Sequence, residues 1–422
     1  MTTSNPTVDP QTPSFVAWIG LDWGDAQHAF RLRDQGGHFE EGSLPNTPEA
    51  VLSWCQKLEA RFGGQPIALA YESTRNGLVD LFVTQTFFWL YPIHPLTSAR
   101  FRQAFTPSGA KDDQPDAAVL LEVLLHHPDK LRCWNRADLP TEALARFTEV
   151  RRDAVDRRTQ VANQLTSLLK KSFPQALPLL GHEVTSPMAL DFLERWPDLT
   201  SLKLAKPSTL KRFYHQHNLR QPQAVEQRLA LIPPARSWTT EEDLMKVARM
   251  EVLMLVALLR TYHQHIGQLE QQIAARFAEH PEAYLFRDLP GAGPVLAPRL
   301  LAAFGTDRDR YAAAESLQKA AGVAPVREKS GQRLWTHWRW LAPRFLRQTF
   351  VEWAGQTVVH CPWAKAYYRA MAAKGKSHHV ILRALAFKWI RVLWVCWKNR
   401  TPYDEAKYLR QLKLRQSSYA AA

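Results

Sequence analysis

The stretch VAWIGLDWG, residues 16–24, is an apolar run of strand length that ends in a carboxylate, Asp22. An ionised Asp inside a buried strand is costly unless something compensates it, so the strand must deliver Asp22 to a partner. Residues 15 to about 35 read as two strands turning at GDAQ, and GGHFEEGSL as a third short strand. EAVLSWCQKLEARF then has apolar residues at helical spacing, QPIALAYES is an apolar run of strand length, NGLVDLFVTQTF reads as helix and FWLYPIHPL as strand. Strand, helix, strand, helix in that order implies an α/β sheet with a crossover. TSARFRQAFTPSGAKDDQP reads as a loop, and the helix DAAVLLEVLLHH closes this domain near residue 130.

Two long amphipathic stretches follow, over about 141–175 and 241–280, the first rich in Arg. Such helices pack as an antiparallel coiled coil or serve as an oligomer interface. The Pro-punctuated segment 174–236 between them reads as short helices and loops. From about residue 283 the chain is mainly helical, beginning with FRDLPGAGPVLAPRLLAAFG. There LPGAGPVLA resembles a helix-hairpin-helix turn, in which Gly291 and Gly293 would let backbone N–H groups approach a phosphate. A plain Gly-Pro helix break is the alternative.

Charge divides the chain unevenly. From residue 301 on there are 22 Lys and Arg against 7 Asp and Glu, whereas residues 1–300 carry 32 against 33. The net +14 therefore belongs to the last third, and a basic block of this kind suits a polyanionic partner. It is also aromatic: Trp335, Trp338, Trp340, Trp353, Trp363, Trp389, Trp394 and Trp397 are interleaved with Arg and Lys. Such side chains can stack on bases, although a core role is the simpler expectation for any one of them. Cys55, Cys133, Cys361 and Cys396 form no CxxC pair, so neither a zinc site nor a disulfide framework is indicated, and a reducing cytoplasm fits. The polar start has no signal-peptide pattern, and apolar stretches such as VLMLVALL are too short for a bilayer, so no membrane partner is expected.

Asp22 admits three readings. A strand-borne DxG turn can serve a phosphate in actin-like or sugar-kinase ATPases, a divalent metal in ribonuclease-H-like nucleases, or nothing beyond backbone donors. GDAQH lacks the combination of Thr and Gly that a phosphate turn needs, and no second glycine-rich phosphate loop is found, which disfavours the ATPase. A metal site predicts further carboxylates at neighbouring strand ends, because Mg²⁺ takes hard oxygen ligands. Glu72 ends the strand IALAYE, and KDDQPDAAVLL offers Asp113 and Asp116 three residues apart at a helix start, on one helical face. Asp112 would also share a face with Asp116. Asp113 could instead merely cap that helix. Taken with Asp22 and Glu72, a four-carboxylate site for two metals is the favoured reading, suited to in-line phosphoryl displacement.

The order Asp22, Glu72, then KDDQPDA resembles the Asp-Glu-Asp-Asp signature of the Piv/MooV-like transposases of the insertion-sequence-110 family, and that resemblance selects Asp113 and Asp116 over Asp112. FTEVRRDAVDRRTQVANQLTSLLKKSFP is similar to the family's Arg-rich helix, and LPGAGPVLA with AGVAPVREKSG to its carboxyl-terminal domain. The resemblance implies a fold of α/β plus all-α class: a disordered amino terminus (1–14), a ribonuclease-H-like, RuvC-type mixed-sheet domain (15–135), a coiled-coil region with a Pro-rich insertion (136–282), and a basic helical transposase domain (283–422). It implies a nucleophilic serine, matched by Ser330 in REKSGQR; read by itself, a Ser before Gly on a basic loop is an ordinary turn residue. Arg327, Lys329 and Arg333 beside it, and Arg339, Arg344 and Arg347 beyond, would then contact nucleic acid. Mg²⁺ (or Mn²⁺) as cofactor, double-stranded DNA and a bridge RNA as partners, and a homo-oligomer from dimer to tetramer are further implications, with acidic domain and serine drawn from different protomers. The segment THWRWLAPRFLRQTF departs from the family by lacking its Ser-Lys-x-Gly turn. A junction-resolving nuclease using water, and a non-catalytic nucleic-acid-binding protein, are the competing readings.

Overall fold

In a computed structural model the description covers residues 13–72, 77–105, 113–134, 139–181, 183–339, 342–416 and 419, with the backbone alone for 105 and 113–115. Trp340 and Asp112 fall outside the described residues. The chain divides after Arg136 into two compact units.

The first unit is built on one five-stranded sheet. Strands β1 (Ala17–Asp22), β2 (Gln27–Asp34) and β3 (Phe39–Pro45) form the expected meander. Helix α1 (Pro48–Phe62) leads to β4 (Ile67–Glu72), and α2 (Gly77–Thr84) to β5 (Phe88–Ile93). The order across the sheet is β3-β2-β1-β4-β5, and β2 alone runs against the other four. Alternation sorts the side chains by face. Ile19, Leu21, Ile67, Leu69 and Tyr71 pack with Val51, Cys55 and Leu58 of α1 and Phe82 of α2.

The opposite face carries small residues, Gly20, Ala68 and Ala70, and on it lies α4 (Asp113–His126), which buries Leu120, Val123 and Leu124 there. Gly20 is what brings the helix backbone down: a Cβ at that position would stand 2.1 Å from the Ala117 carbonyl oxygen and 2.5 Å from the Leu121 nitrogen. One expectation is corrected in this region. Thr97–Phe105, read as part of a loop, and Pro95 and Leu96, read as the end of a strand, together form helix α3, because Pro95 at its start and the helix-compatible run LTSARFRQAF outweigh the breakers that come only at Pro107 and Gly109.

The second unit opens with the two long helices, α5 (Leu139–Ser172) and α11 (Glu242–Glu279). They pair antiparallel: Thr141 meets His280 at 2.8 Å, the Arg276 guanidinium lies 4.1 Å from the Phe147 ring centre, and Arg151 pairs with Glu270 at 2.6 Å. Between them come α6 (Ala176–Leu180), α7 (Pro187–Arg195), α8 (Leu199–Lys203), α9 (Pro207–Gln216) and α10 (Pro222–Ala230). These enclose a core with Leu165, Leu169, Val252, Val256 and Leu259 of the long pair. A second core is made by α12 (Gly293–Phe304), α13 (Ala314–Ala320), α14 (Arg344–His360), α15 (Pro362–Ala373) and α16 (His378–Lys398), with α17 (Glu405–Leu414) against it.

Most of the tryptophans of the basic block are spent on this second core. Trp353, Trp363, Trp389 and Trp397 are fully buried, and each indole N–H finds an acceptor, respectively the Pro290 carbonyl, the Tyr403 hydroxyl, Thr357 Oγ1 and the Gly305 carbonyl, as buried indoles require. Among the described residues no helix is long and apolar enough to cross a membrane.

Since Gly20 sets the approach of α4, Gly20→Ala should destabilise the first unit by about 1–3 kcal/mol or more. Urea unfolding monitored on this unit checks it; an unchanged midpoint would show that α4 does not rest on β1.

Candidate nucleic-acid processing site

Asp22 and Glu72 are the last residues of two adjacent parallel strands, whose register pairs Leu21 with Tyr71. The two carboxylates therefore leave the sheet side by side, on strands about 4.8 Å apart, and on the face that α4 covers. Both are half-buried, at the last paired positions of their strands, Asp22 opposite Ala29 and Glu72 opposite Ile93. Ala117 sits on Gly20, two residues before Asp22, so the helix start carrying Asp113 and Asp116 is seated over this same face. The Asp113 side chain lies outside the described residues.

Helix α3, which the sequence did not reveal, holds two of these carboxylates. Buried Ser98 has its hydroxyl 2.5 Å from Glu72 Oε1 and 2.9 Å from the Pro95 carbonyl. Arg102 forms an ion pair with Asp116 at 2.9 Å, both side chains largely buried. Ser98 and Arg102 are thus site residues that sequence reasoning missed, since a segment read as loop offers no face on which to place them. Among the described residues no group of three His, Cys, Asp or Glu side chains comes together as a metal site.

Ser330 sits at the end of β6 (Val326–Ser330), which pairs with β7 (Arg333–His337) in an exposed hairpin. The basic loop of the sequence reading is thus strand and turn. Two residues, Gly331 and Gln332, make the connection; Gly331 has φ +58° while Gln332 stays outside the left-handed region, the pattern of a type II′ hairpin turn. A Gly after Ser330 is required by that turn. Pairing puts Ser330 and Glu328 on one face with Arg333, Trp335 and His337, and Arg327 and Lys329 on the other with Leu334 and Thr336. Of the three cations flanking the serine in sequence, only Arg333 shares its face. Trp335 does so as well and remains 45% exposed.

The remaining expected contacts fall at the base of this hairpin and beyond it. Arg339 lies just past β7, and Arg347 lies in the first turn of α14, where it donates to the Ala342 carbonyl at 3.0 Å. Arg344, 85% exposed, lies 3.6 Å from Asp156 of α5. Gly291 and Gly293, with φ of +67° and +54°, differ in surroundings. A Cβ on Gly291 would come within 3.0 Å of Gln356 and His360 of α14, so this glycine serves helix packing, whereas Gly293 faces open space where α12 begins.

A carboxylate-edged mixed sheet in one unit and an exposed basic hairpin in the other define a protein built to act on a polyanion. Residues 19–174 match the family model DEDD_Tnp_IS110, described as a transposase, and residues 283–369 match the model of the transposase IS116/IS110/IS902 family. The chain is similar to a candidate transposase of the IS117 mini-circle of Streptomyces coelicolor, 28% identical over 416 residues that span 93% of this chain and 97% of the relative. It is also similar to a 43.6 kDa protein of insertion element IS110 from the same organism, 25% identical over 93% of this chain and 96% of the relative. A 42 kDa protein of insertion element IS900 from Mycobacterium paratuberculosis is 24% identical over 92% and 97% of the two chains. The chain belongs to the IS110 family of insertion-sequence transposases.

One feature of the hairpin is open to titration. His337 has Nε2 2.7 Å from Glu328 Oε1 and Nδ1 2.7 Å from the Trp338 carbonyl. Two acceptors require both ring nitrogens to carry hydrogen, which only the imidazolium provides. The Glu328 hydrogen bond, then the Trp338 carbonyl, accordingly hold the His337 pKa above its ordinary 6.5. A raised folded pKa means that the contribution of this clasp to hairpin order is complete below about pH 6.5 and fades as pH rises through the folded value. An NMR titration should find His337 above 6.5 in the native protein and nearer to it in Glu328→Gln; a wild-type value at or below 6.5 would contradict the clasp.

Proposed function

We propose that this transposase cuts and exchanges DNA strands with Ser330 as the nucleophile and with a divalent metal, Mg²⁺ or Mn²⁺, held by Asp22, Glu72, Asp113 and Asp116. The observation that carries the reading is the register of β1 and β4, which ends both strands in carboxylates on the face overlain by α4. The sheet order, with β2 alone reversed, supports a ribonuclease-H-like, RuvC-type domain. The donor set fits the metal: all four ligands are hard carboxylate oxygens, as Mg²⁺ prefers. When bound there, the metal would neutralise charge on the scissile phosphate and polarise it toward attack. Arg102 and Ser98 would keep Asp116 and Glu72 oriented, and Arg102 must yield the Asp116 oxygen it holds for that carboxylate to coordinate.

Ser330 Oγ attacks the scissile phosphorus; the new Oγ–P bond forms as the bond from phosphorus to the leaving deoxyribose oxygen breaks. The serine proton passes to solvent and the leaving oxygen takes one up, so a covalent phosphoserine link stores the energy for rejoining. Arg333, on the serine's face, stabilises charge on the transferring phosphoryl oxygens, and Trp335 offers a stacking surface for an adjacent base. Arg327 and Lys329 on the opposite face, with Arg339, Arg344, Arg347 and the Gly291–Gly293 turn, take up backbone phosphates of double-stranded DNA or of a bridge RNA. A homo-oligomer of two to four chains brings the carboxylates of one protomer to the serine of another.

Incubating the protein with its element ends, guide RNA and target in Mg²⁺ tests the assignment. Ser330→Ala should form no covalent protein–DNA adduct and no recombinant product. Asp22→Ala should cut at least about a hundredfold more slowly while nucleic-acid binding is retained. Cleavage without an adduct by Ser330→Ala would instead identify water as the nucleophile.

A further inference from the structure

Two guanidinium groups converge on Trp338 at the base of the Ser330 hairpin, with no carboxylate paired to either among the described residues. Trp338, which follows β7, is flanked by Arg383 of α16, whose Cζ stands 3.0 Å from the ring centre, and by Arg347 of α14 at 5.6 Å. The main chain of Arg339 is near by: the position a Cβ would take on Gly322 is 3.2 Å from Arg347 Nε and 3.7 Å from the Arg339 carbonyl. The Nε atoms of Arg339, Arg347 and Arg383 are all buried, and none has a hydrogen-bond partner among the described residues.

The sequence explains why no carboxylate answers them. The link 338–343 and helix α16 contain no Asp or Glu, and α14 contains only Glu352. Glu352 is committed to Arg299 at 2.7 Å and Arg152 at 3.0 Å. On the hairpin, Glu328 is committed to His337, and on α5 Asp156 is shared by Arg152 and Arg344. Burial and the Arg347 charge together disfavour the charged form of Arg383. Like charges gathered in a partly buried place cost stability unless an anion joins them.

We propose that Arg383, with Arg347 and Arg339 around Trp338, binds one phosphodiester of a nucleic-acid backbone beside the Ser330 hairpin. Guanidinium forks match phosphate oxygens in pairs, and Trp338 holds the planes of two of them while lending its edge to the sugar. The inference rests on the reading of the chain as a nucleic-acid-processing transposase, and it adds Arg383 and Trp338 to the residues that reading names.

The test is the salt dependence of binding by the full-length protein to a labelled duplex DNA and, separately, to a single-stranded RNA of equal length. Wild type should bind at least one of them with a steep dependence on salt; if it binds neither, the nucleic-acid reading itself falls. Arg383→Ala should weaken binding about tenfold or more at fixed salt and reduce the slope of log K against log salt by about 1. Whichever probe shows the change identifies the backbone bound. The Arg347→Ala/Arg383→Ala double variant should lose no more slope than a single one, because one phosphate is lost once. Without nucleic acid, Arg383→Ala should melt at or above wild type, its repulsion with Arg347 removed. Should Arg383→Ala fail to fold, Arg383→Lys keeps stem and charge and should lose affinity at wild-type Tm. An unchanged slope with both probes, whatever the Tm, would leave Arg383 a structural staple and overturn the proposal.

Discussion

The close contact between Gly20 and the backbone of α4 governs the geometry of the carboxylate unit. Because β1 offers no side chain at that point, Ala117 and Leu121 settle directly on the strand. Ala68 and Ala70 on β4 keep the adjoining surface equally low. The helix start is thereby seated over the face from which Asp22 and Glu72 emerge. A bulky residue on any of these small positions would raise the helix and separate the groups that the sheet brings together, since packed interiors yield little to added volume.

The second unit solves a different problem, that of a strongly basic segment that must still build a core. Its four fully buried tryptophans supply large apolar area while their N–H groups are satisfied by carbonyls and hydroxyls inside the unit. The few carboxylates are spent on particular cations: Glu352 neutralises buried Arg299 and draws in Arg152 from α5, and Asp156 reaches Arg344. This allocation ties the long helix to the helical core. Among the described residues it leaves Arg347 and Arg383, on either side of Trp338 at the base of the hairpin, without a carboxylate partner.

Much of the candidate site was legible in the residues because its signals are local. A strand that ends in Asp, a strand that ends in Glu and a helix that opens on two Asp announce themselves through alternation and spacing. Ser98 and Arg102 were not legible: the segment was read as a loop, and their contacts with Glu72 and Asp116 span 26 and 14 residues. The hairpin was also missed, because VREKSGQRLWTH has no apolar alternation and is defined instead by its Gly331 turn. The tryptophans could be counted but not sorted, since an indole that fills a core and one left at a surface look alike in a basic, aromatic sequence.

The sequence by itself determined the meander and crossover of the first sheet, the two long helices, the confinement of the net positive charge to the last third, and the carboxylates that close β1 and β4. These follow from periodicity and composition, which act over a few residues. Only the tertiary structure decided which cations are neutralised and which stay unpaired, which of Arg327, Lys329 and Arg333 shares the face of Ser330, and that α3 holds two carboxylates. Those outcomes depend on strand register and on contacts between distant segments, where a shift of one residue reverses a face and no local pattern records the partner.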